Sequence, residues 1–148
     1  MNFPRLGLAA LAGWVVYLGV SFLVHGVLLT DVYSAHAAVM RPEAEQMEIL
    51  PFGFGFGLVG FFAFAYTYAK GYEGGSGMQE GLRFGVIMGM LICCFAIISE
   101  YMLWPASPTL LSVWLIDYIV EFTIYGMVVG LVYKPAPHRR PTSSQPRS

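Results

Sequence analysis

Residues 110–133 read LLSVWLIDYIVEFTIYGMVVGLVY, and the fold turns on how this stretch is read. Its only ionisable side chains besides tyrosine are Asp117 and Glu121. The run exceeds the roughly 20 residues that a helix needs to cross a bilayer at about 1.5 Å per residue. The two acids stand four apart, so they share one helical face. Each acid near a membrane centre costs roughly 2.5–3.5 kcal/mol. The Leu, Ile, Val and Phe residues of the segment return roughly 0.3–0.6 kcal/mol each, about 4–8 kcal/mol together. The segment therefore about breaks even as an isolated helix. It is comfortable only if the acids face protein, a partner or water.

Three more apolar runs precede it. Leu6–Leu29 holds no charged residue except His25; the others span about 50–69 and about 82–104, the last with Arg83 and Glu100. Charged residues make up 11% of the chain, against about 25% in a soluble domain, and the shortfall sits in these runs. Alternating ten-residue segments, the mark of a membrane β-barrel, are missing from the sequence. The expected fold is all-α: a polytopic, antiparallel bundle of four transmembrane helices at about 6–29, 50–69, 82–104 and 110–133. It forms one domain over residues 1–134. The two halves align only by hydrophobicity, so no internal repeat is inferred.

Basic residues set the expected orientation. The N-terminus, the loop near residues 71–81 and the C-terminal segment carry Arg5, Lys70, Arg83, Lys134, Arg139, Arg140 and Arg147. The opposite side carries Arg41 alone. Positive charge is retained on the cytoplasmic side, so both termini are expected there, in a cell inner (plasma) membrane. Residues 135–148, rich in Pro, Ser and basic residues, cannot bury a core and are expected to be disordered. Ala35-His36-Ala37 fits a signal-cleavage pattern. The first apolar run is longer than the 7–15 residues of a signal core, so the helix is expected to be retained.

The loops carry weaker signals. Residues 31–49 hold Asp31, Glu43, Glu45 and Glu48 against Arg41. Pro42 followed by Glu43 and Glu45 resembles a helical first turn with acids at the positive dipole end, so a short surface helix is expected there. The second transmembrane helix is expected to open after Pro51. Gly71–Gly77 is glycine-rich but lacks the Gly-Lys-Ser/Thr ending and preceding strand of a phosphate loop, so it is read as a flexible connector. Arg83 is expected to snorkel to headgroups. Cys93 and Cys94 are neighbours, not a Cys-x-x-Cys pair, and are read as packing residues.

Small residues recur at helical spacing: Gly53, Gly57 and Gly60 in the second span, Gly85 and Gly89 in the third. Such stripes let membrane helices approach closely, and the second and third spans are expected to pack through them. Polar stripes fall elsewhere. The first span carries Tyr17, Ser21 and His25 at intervals of four; the fourth carries Trp114, Asp117, Glu121 and Tyr125. Both are expected to face inward. Helix rise puts His25 and Glu100 about 6 Å from the outer ends of their spans, Asp117 about 10 Å deep and Glu121 about 16 Å deep. An outer-half polar cluster of His25, Glu100, Asp117 and Glu121, with Ser21 and Tyr17 beside it, is the expectation. Two acids one turn apart in a low dielectric do not both ionise cheaply, and Glu121, the deeper, is the expected protonated member.

Three functions are compatible with such a cluster. Buried polar groups often serve as packing contacts between membrane helices, which favours an accessory or scaffold subunit. Mid-membrane acids beside a histidine also mark proton or cation pathways, as in a small transporter or channel using Asp117 and Glu121. A metal-carboxylate membrane enzyme is the third: His25, Glu100 and Asp117 are ligand types for zinc, manganese or iron. It lacks a Glu-x-x-His or His-Glu-x-x-His motif on one helix, so an enzyme is not favoured. No catalytic residue and no cofactor is expected. Expected partners are the lipid bilayer and a membrane protein or second copy of the chain, not nucleic acid.

Several passages carry a family likeness: residues 27–33 (VLLTDVY), 40–43 (MRPE), 70–74 (KGYEG) and 81–85 (GLRFG). With the four-span layout, the chain resembles the small four-helix integral membrane proteins common in bacteria. That resemblance implies the topology and brings no catalytic motif, cofactor or activity.

Overall fold

Asn2 and Pro4 open the first helix, α1, Phe3–Leu23: the Asn2 side chain accepts the Arg5 N–H, and Pro4 stands where a helix has no use for an N–H. In the computed structural model, which describes residues 1–135, α1 runs into a π turn at Val24–Leu28. A short helix α2, Thr30–Ala35, and a single 3₁₀ turn at Ala37–Val39 follow. Three long helices complete the chain: α3, Glu43–Gly71; α4, Gly77–Leu103; α5, Pro108–Val132. The described residues are all helix and connector, without a strand. Four helices, counting α1 with its π turn, are long and apolar enough to cross a membrane. The basic segment beyond Pro135 lies outside the described residues.

Two expectations about α3 are corrected. It does not open after Pro51, and Pro42 does not start a separate surface helix. Pro42 instead precedes one unbroken helix of 29 residues with Pro51 inside it. Glu43 and Glu45 sit in its first turn, where the dipole favours acids. Pro51 lacks the N–H that would bond to the Met47 carbonyl. Membrane-type helices tolerate such a gap where other groups or water satisfy the freed backbone.

The tightest contact joins α4 to α5, not α4 to α3. Gly77, Gly81, Gly85 and Gly89 form a flat strip along α4, and Gly126 and Gly130 face it from α5. A Cβ at Gly81 would overlap the Gly126 carbonyl oxygen, and one at Gly85 would overlap that of Phe122. The backbones therefore touch where side chains would normally stand, which is how membrane helices gain dispersion contacts without a hydrophobic drive. The second span's glycines do not take part. Gly53 and Gly60 face open space, and Gly57 lies beside Tyr17 and Trp14 of α1.

We call the end of the bundle holding the N-terminus and the α3–α4 turn the near end. There Leu6, Ala9 and Ala10 of α1 pack against Phe61, Phe64, Ala65 and Tyr68 of α3. Tyr125, Val129 and Tyr133 close this core from α5. Phe84 of α4 reaches α3 through ring contacts with Phe64 at 4.7 Å and Tyr68 at 5.4 Å. Toward the other, far end, α3 and α4 separate. Large apolar side chains such as Phe52, Phe56, Phe95 and Met102 are exposed around the circumference, as suits a hydrocarbon surround.

The glycine-rich connector is not free. Glu80 accepts the backbone N–H groups of Glu73 (3.0 Å) and Gly75. Arg83 pairs with Glu73 at 2.7 Å. Gly74 adopts φ 95°, a left-handed conformation that suits glycine. Cys93 is buried against α5 and Cys94 is exposed, both as free thiols.

The glycine strip yields a direct test. Gly85→Ala must push α4 off α5 and is expected to cost roughly 1–3 kcal/mol of stability, as overpacking does. Gly60→Ala, with open space around it, is expected to be neutral or slightly stabilising. Thermal unfolding in neutral detergent compares the two; an equal response would refute the close α4–α5 approach.

Candidate functional site

The site begins with the π turn. The Leu29 N–H bonds to the Val24 carbonyl five residues back, at 2.8 Å, and His25 lies within that widened turn. Such bulges recur where a helix must re-aim a side chain. Here the His25 imidazole is held on both sides. Its Nε2 lies 3.5 Å from Asp117 Oδ2, and its Nδ1 lies 2.6 Å from the Tyr33 hydroxyl of α2. The two rings also stack, with centroids 5.9 Å apart.

Asp117 and Glu121 are the buried polar residues of the described chain, 8% and 6% exposed. Both project from α5 toward α1. Glu121 accepts from Tyr125 at 2.7 Å and from Ser21 of α1 at 3.4 Å. Tyr17 packs edge-on against Tyr125, with centroids 5.9 Å apart, and against Phe61 at 5.7 Å. The result is a polar string: Tyr33, His25, Asp117, Glu121, then Tyr125 with Ser21. Glu121 has hydrogen-bond donors from its own chain, and Asp117 faces the His25 imidazole.

The expected cluster forms in part. His25, Asp117, Glu121, Ser21 and Tyr17 come together. Glu100 does not join them. Its Oε1 accepts from Tyr118 at 3.3 Å, and its Oε2 is buried without a hydrogen-bond partner. Depth along the helices was the right argument for His25, Asp117 and Glu121 and the wrong one for Glu100. That residue stands on α4, which meets α5 on another face. Tyr33 was missed because it follows the end of the first apolar run. His25 lacks an aromatic at i+4 that would have hinted at its partner.

The segment carrying Tyr33 is itself clasped. His36 Nδ1 lies 2.8 Å from the Val32 carbonyl and its Nε2 lies 2.7 Å from Ser107 Oγ. A carbonyl only accepts, so Nδ1 carries the proton and, in the neutral ring, Nε2 accepts from Ser107. Ser107 also caps α5, accepting the Leu110 N–H at 3.1 Å. This ties the connector between α1 and α3 to the first turn of the acid-bearing helix.

A cavity of about 1070 Å³ opens beside the string, between α3 and the α1–α5 pair. Glu121 and His25 line it, while Asp117 sits behind them. It extends from Glu43 and Gln46 at the far end to Phe64 and Thr67 deeper in. α4 contributes Met88 and Ile92, and α3 and α4 have little direct contact, so this side of the cavity is the gap between them. Below Tyr125 the aromatic near-end core closes the side facing α1, while the side facing α4 continues along α3 to Thr67.

Ligand atoms of His25, Asp117 and Glu121 all lie within 4.8 Å of one another. The donor set is Glu121 with His25 and Asp117, in place of the expected Glu100. Zinc–ligand bonds of about 2.0–2.2 Å allow at most about 4.4 Å between two ligands. The trio's spacing is close to that span. Tyr33 on Nδ1 and Tyr125 on Glu121 are the outer-shell contacts such a site uses.

No protein-family model, curated protein or solved structure matches this chain. The function is therefore argued from the site alone.

Burial pushes the Tyr33 hydroxyl pKa up; a hydrogen bond with the Trp114 indole works against this, and the charges of Asp117 and Glu121 add to the rise. Tyr33 therefore keeps its proton; because the Asp117 carboxylate only accepts, the neutral His25 ring carries its proton on Nε2, and Nδ1 accepts from the Tyr33 hydroxyl. Nitrogen NMR of histidine-labelled protein is expected to report the Nε2–H tautomer for His25, with a mixed population in Tyr33→Phe. A dominant Nδ1–H form in the wild type would refute this assignment.

Proposed function

We propose that the chain is an integral membrane protein whose far-end polar string is a proton- or cation-responsive site, of the kind that serves a small transporter or channel. In this reading it lies in a bacterial inner membrane, with both termini and the Tyr72–Ser76 turn in the cytoplasm. The far end then faces outward. The asymmetry of Lys and Arg supports that orientation: among the described residues Arg5, Lys70, Arg83 and Lys134 lie at the near end and Arg41 alone at the far end.

One observation carries the functional reading. The membrane-depth acids are satisfied within the chain by His25, Tyr125 and Ser21, while Glu121 also borders an open cavity. Glue for a partner helix does not need both. A titratable carboxyl beside a route to the far-end surface is what an ion pathway uses. Each group in the string both accepts and donates in one of its protonation states. Tyr33 and His25 lead to the acids from one end and Tyr125 from the other, and ligand atoms of His25, Asp117 and Glu121 lie within 4.8 Å of one another. The aromatic core beyond Tyr125 closes the path, so this arrangement resembles a site open to one side.

The accessory or scaffold reading stands second, favoured by the separation of α3 and α4, which leaves room for a partner helix. Asp117→Asn with Glu121→Gln keeps hydrogen bonding and removes titration. In proteoliposomes, the wild type is expected to support pH-driven proton or cation flux. The double variant is expected to lose at least tenfold of it while keeping its unfolding temperature. Unchanged flux in the variant, or no flux in the wild type together with a stoichiometric co-purifying subunit, would favour the scaffold.

A further inference from the structure

The cavity beside Glu121 is far larger and more apolar than a proton or bare cation needs. Its volume of about 1070 Å³ is at the top of the roughly 300–1,000 Å³ range of small-molecule sites. A water molecule has a share of only about 30 Å³. A ligand suited to it must be mostly hydrocarbon. The polar part of the wall then selects the head. Among the described lining residues the acids are Glu121 and Glu43, and lysine and arginine are absent. Nine aromatic rings line the same cavity, with Tyr17, Phe61, Phe122 and Tyr125 surrounding the level of Glu121. A buried carboxyl among aromatic faces is the chemistry that recognises an ammonium group.

We propose that the cleft between α3 and the α1–α5 pair binds a long-chain alkylammonium amphiphile. Its head rests against Glu121 and the surrounding tyrosines, and its tail lies along α3. The geometry sets the tail length. Gly57 is level with Tyr17, since a Cβ there would stand 3.2 Å from that ring, and Tyr17 abuts Tyr125. From Gly57 to Thr67 the α3 wall runs ten residues, about 15 Å. That is half of the roughly 30 Å hydrocarbon thickness, the reach of one leaflet's chains. The gap between α3 and α4 gives such a molecule a lateral entry from lipid. An anionic amphiphile is disfavoured because its head would meet the Glu121 carboxyl, and the one basic group in the wall, the His25 imidazole, is already engaged by Asp117 and Tyr33.

The inference deepens the proposed reading, because it takes Glu121 as the working acid and names what the site accepts. Protein in neutral-lipid nanodiscs would be titrated with dodecyltrimethylammonium, dodecanol and dodecanoate. The cation is expected to bind at one per chain and at least tenfold tighter than the other two. Glu121→Gln is expected to lose that preference while keeping dodecanol binding, which also certifies an intact cleft. Gly60→Phe, placed in open space on the cleft wall, is expected to weaken all three. Equal binding of the three probes, a preference for dodecanoate, or an undiminished preference in Glu121→Gln would overturn the proposal. So would a second protein chain that fills the cleft and excludes the probes. Flux lost in the double acid variant without ammonium binding refutes only the occupant. Ammonium binding without any flux refutes only the ion-pathway reading.

Discussion

A carboxyl group buried among apolar helices must find donors, and this bundle is arranged around that requirement. Leaving one buried charge without a partner costs several kcal/mol, a large part of the stability of a small domain. Asp117 and Glu121 therefore dictate which face of α5 turns inward and which helix lies against it. α1 supplies His25 and Ser21. The opposite face of α5 is then free for the glycine strip of α4. The two interfaces of α5 are thus chemically different: one is polar and partly open, the other a close approach of backbones.

The same division explains why the bundle is tight at one end and open at the other. At the near end, small residues on α1, Ala9, Ala10 and Gly13, let the α3 aromatics fill the core. At the far end the polar string occupies the space between α1 and α5. There α3 leans on α1 through the Trp14 indole, which donates to the Phe54 carbonyl at 3.0 Å. α4 is held by α5. Nothing on α3 matches the α4 strip, so the two helices part and the cavity forms between them. The cleft beside Glu121 is a consequence of that mismatch.

Much of this was legible in the residues. The four long apolar helices follow from hydropathy and length alone, and the inward acids follow from the cost of exposing them. The pairing of His25 with Asp117 was legible from depth, because helix rise is regular. Helix partners were not. Gly85 and Gly89 announce a close approach but do not say to which helix, and Gly126 and Gly130 only become its answer once the register is seen. Glu100 failed for the same reason: depth fixes height along a helix, not azimuth around it. Pro51 misled because a proline reads as a helix start in water, whereas long membrane-type helices carry one internally. The π turn has no sequence mark here, and it is what turns His25 and Tyr33 onto the acids.

The account depends most on the contact between His25 and Asp117 being real and energetically coupled. A double-mutant cycle of His25→Ala and Asp117→Ala, read by reversible unfolding in neutral detergent, measures that coupling directly. Residues in contact within one hydrogen-bonded network couple by roughly 0.5–3 kcal/mol, and a value in that range is expected here. Additive effects of the two substitutions would contradict the polar string and the site built on it.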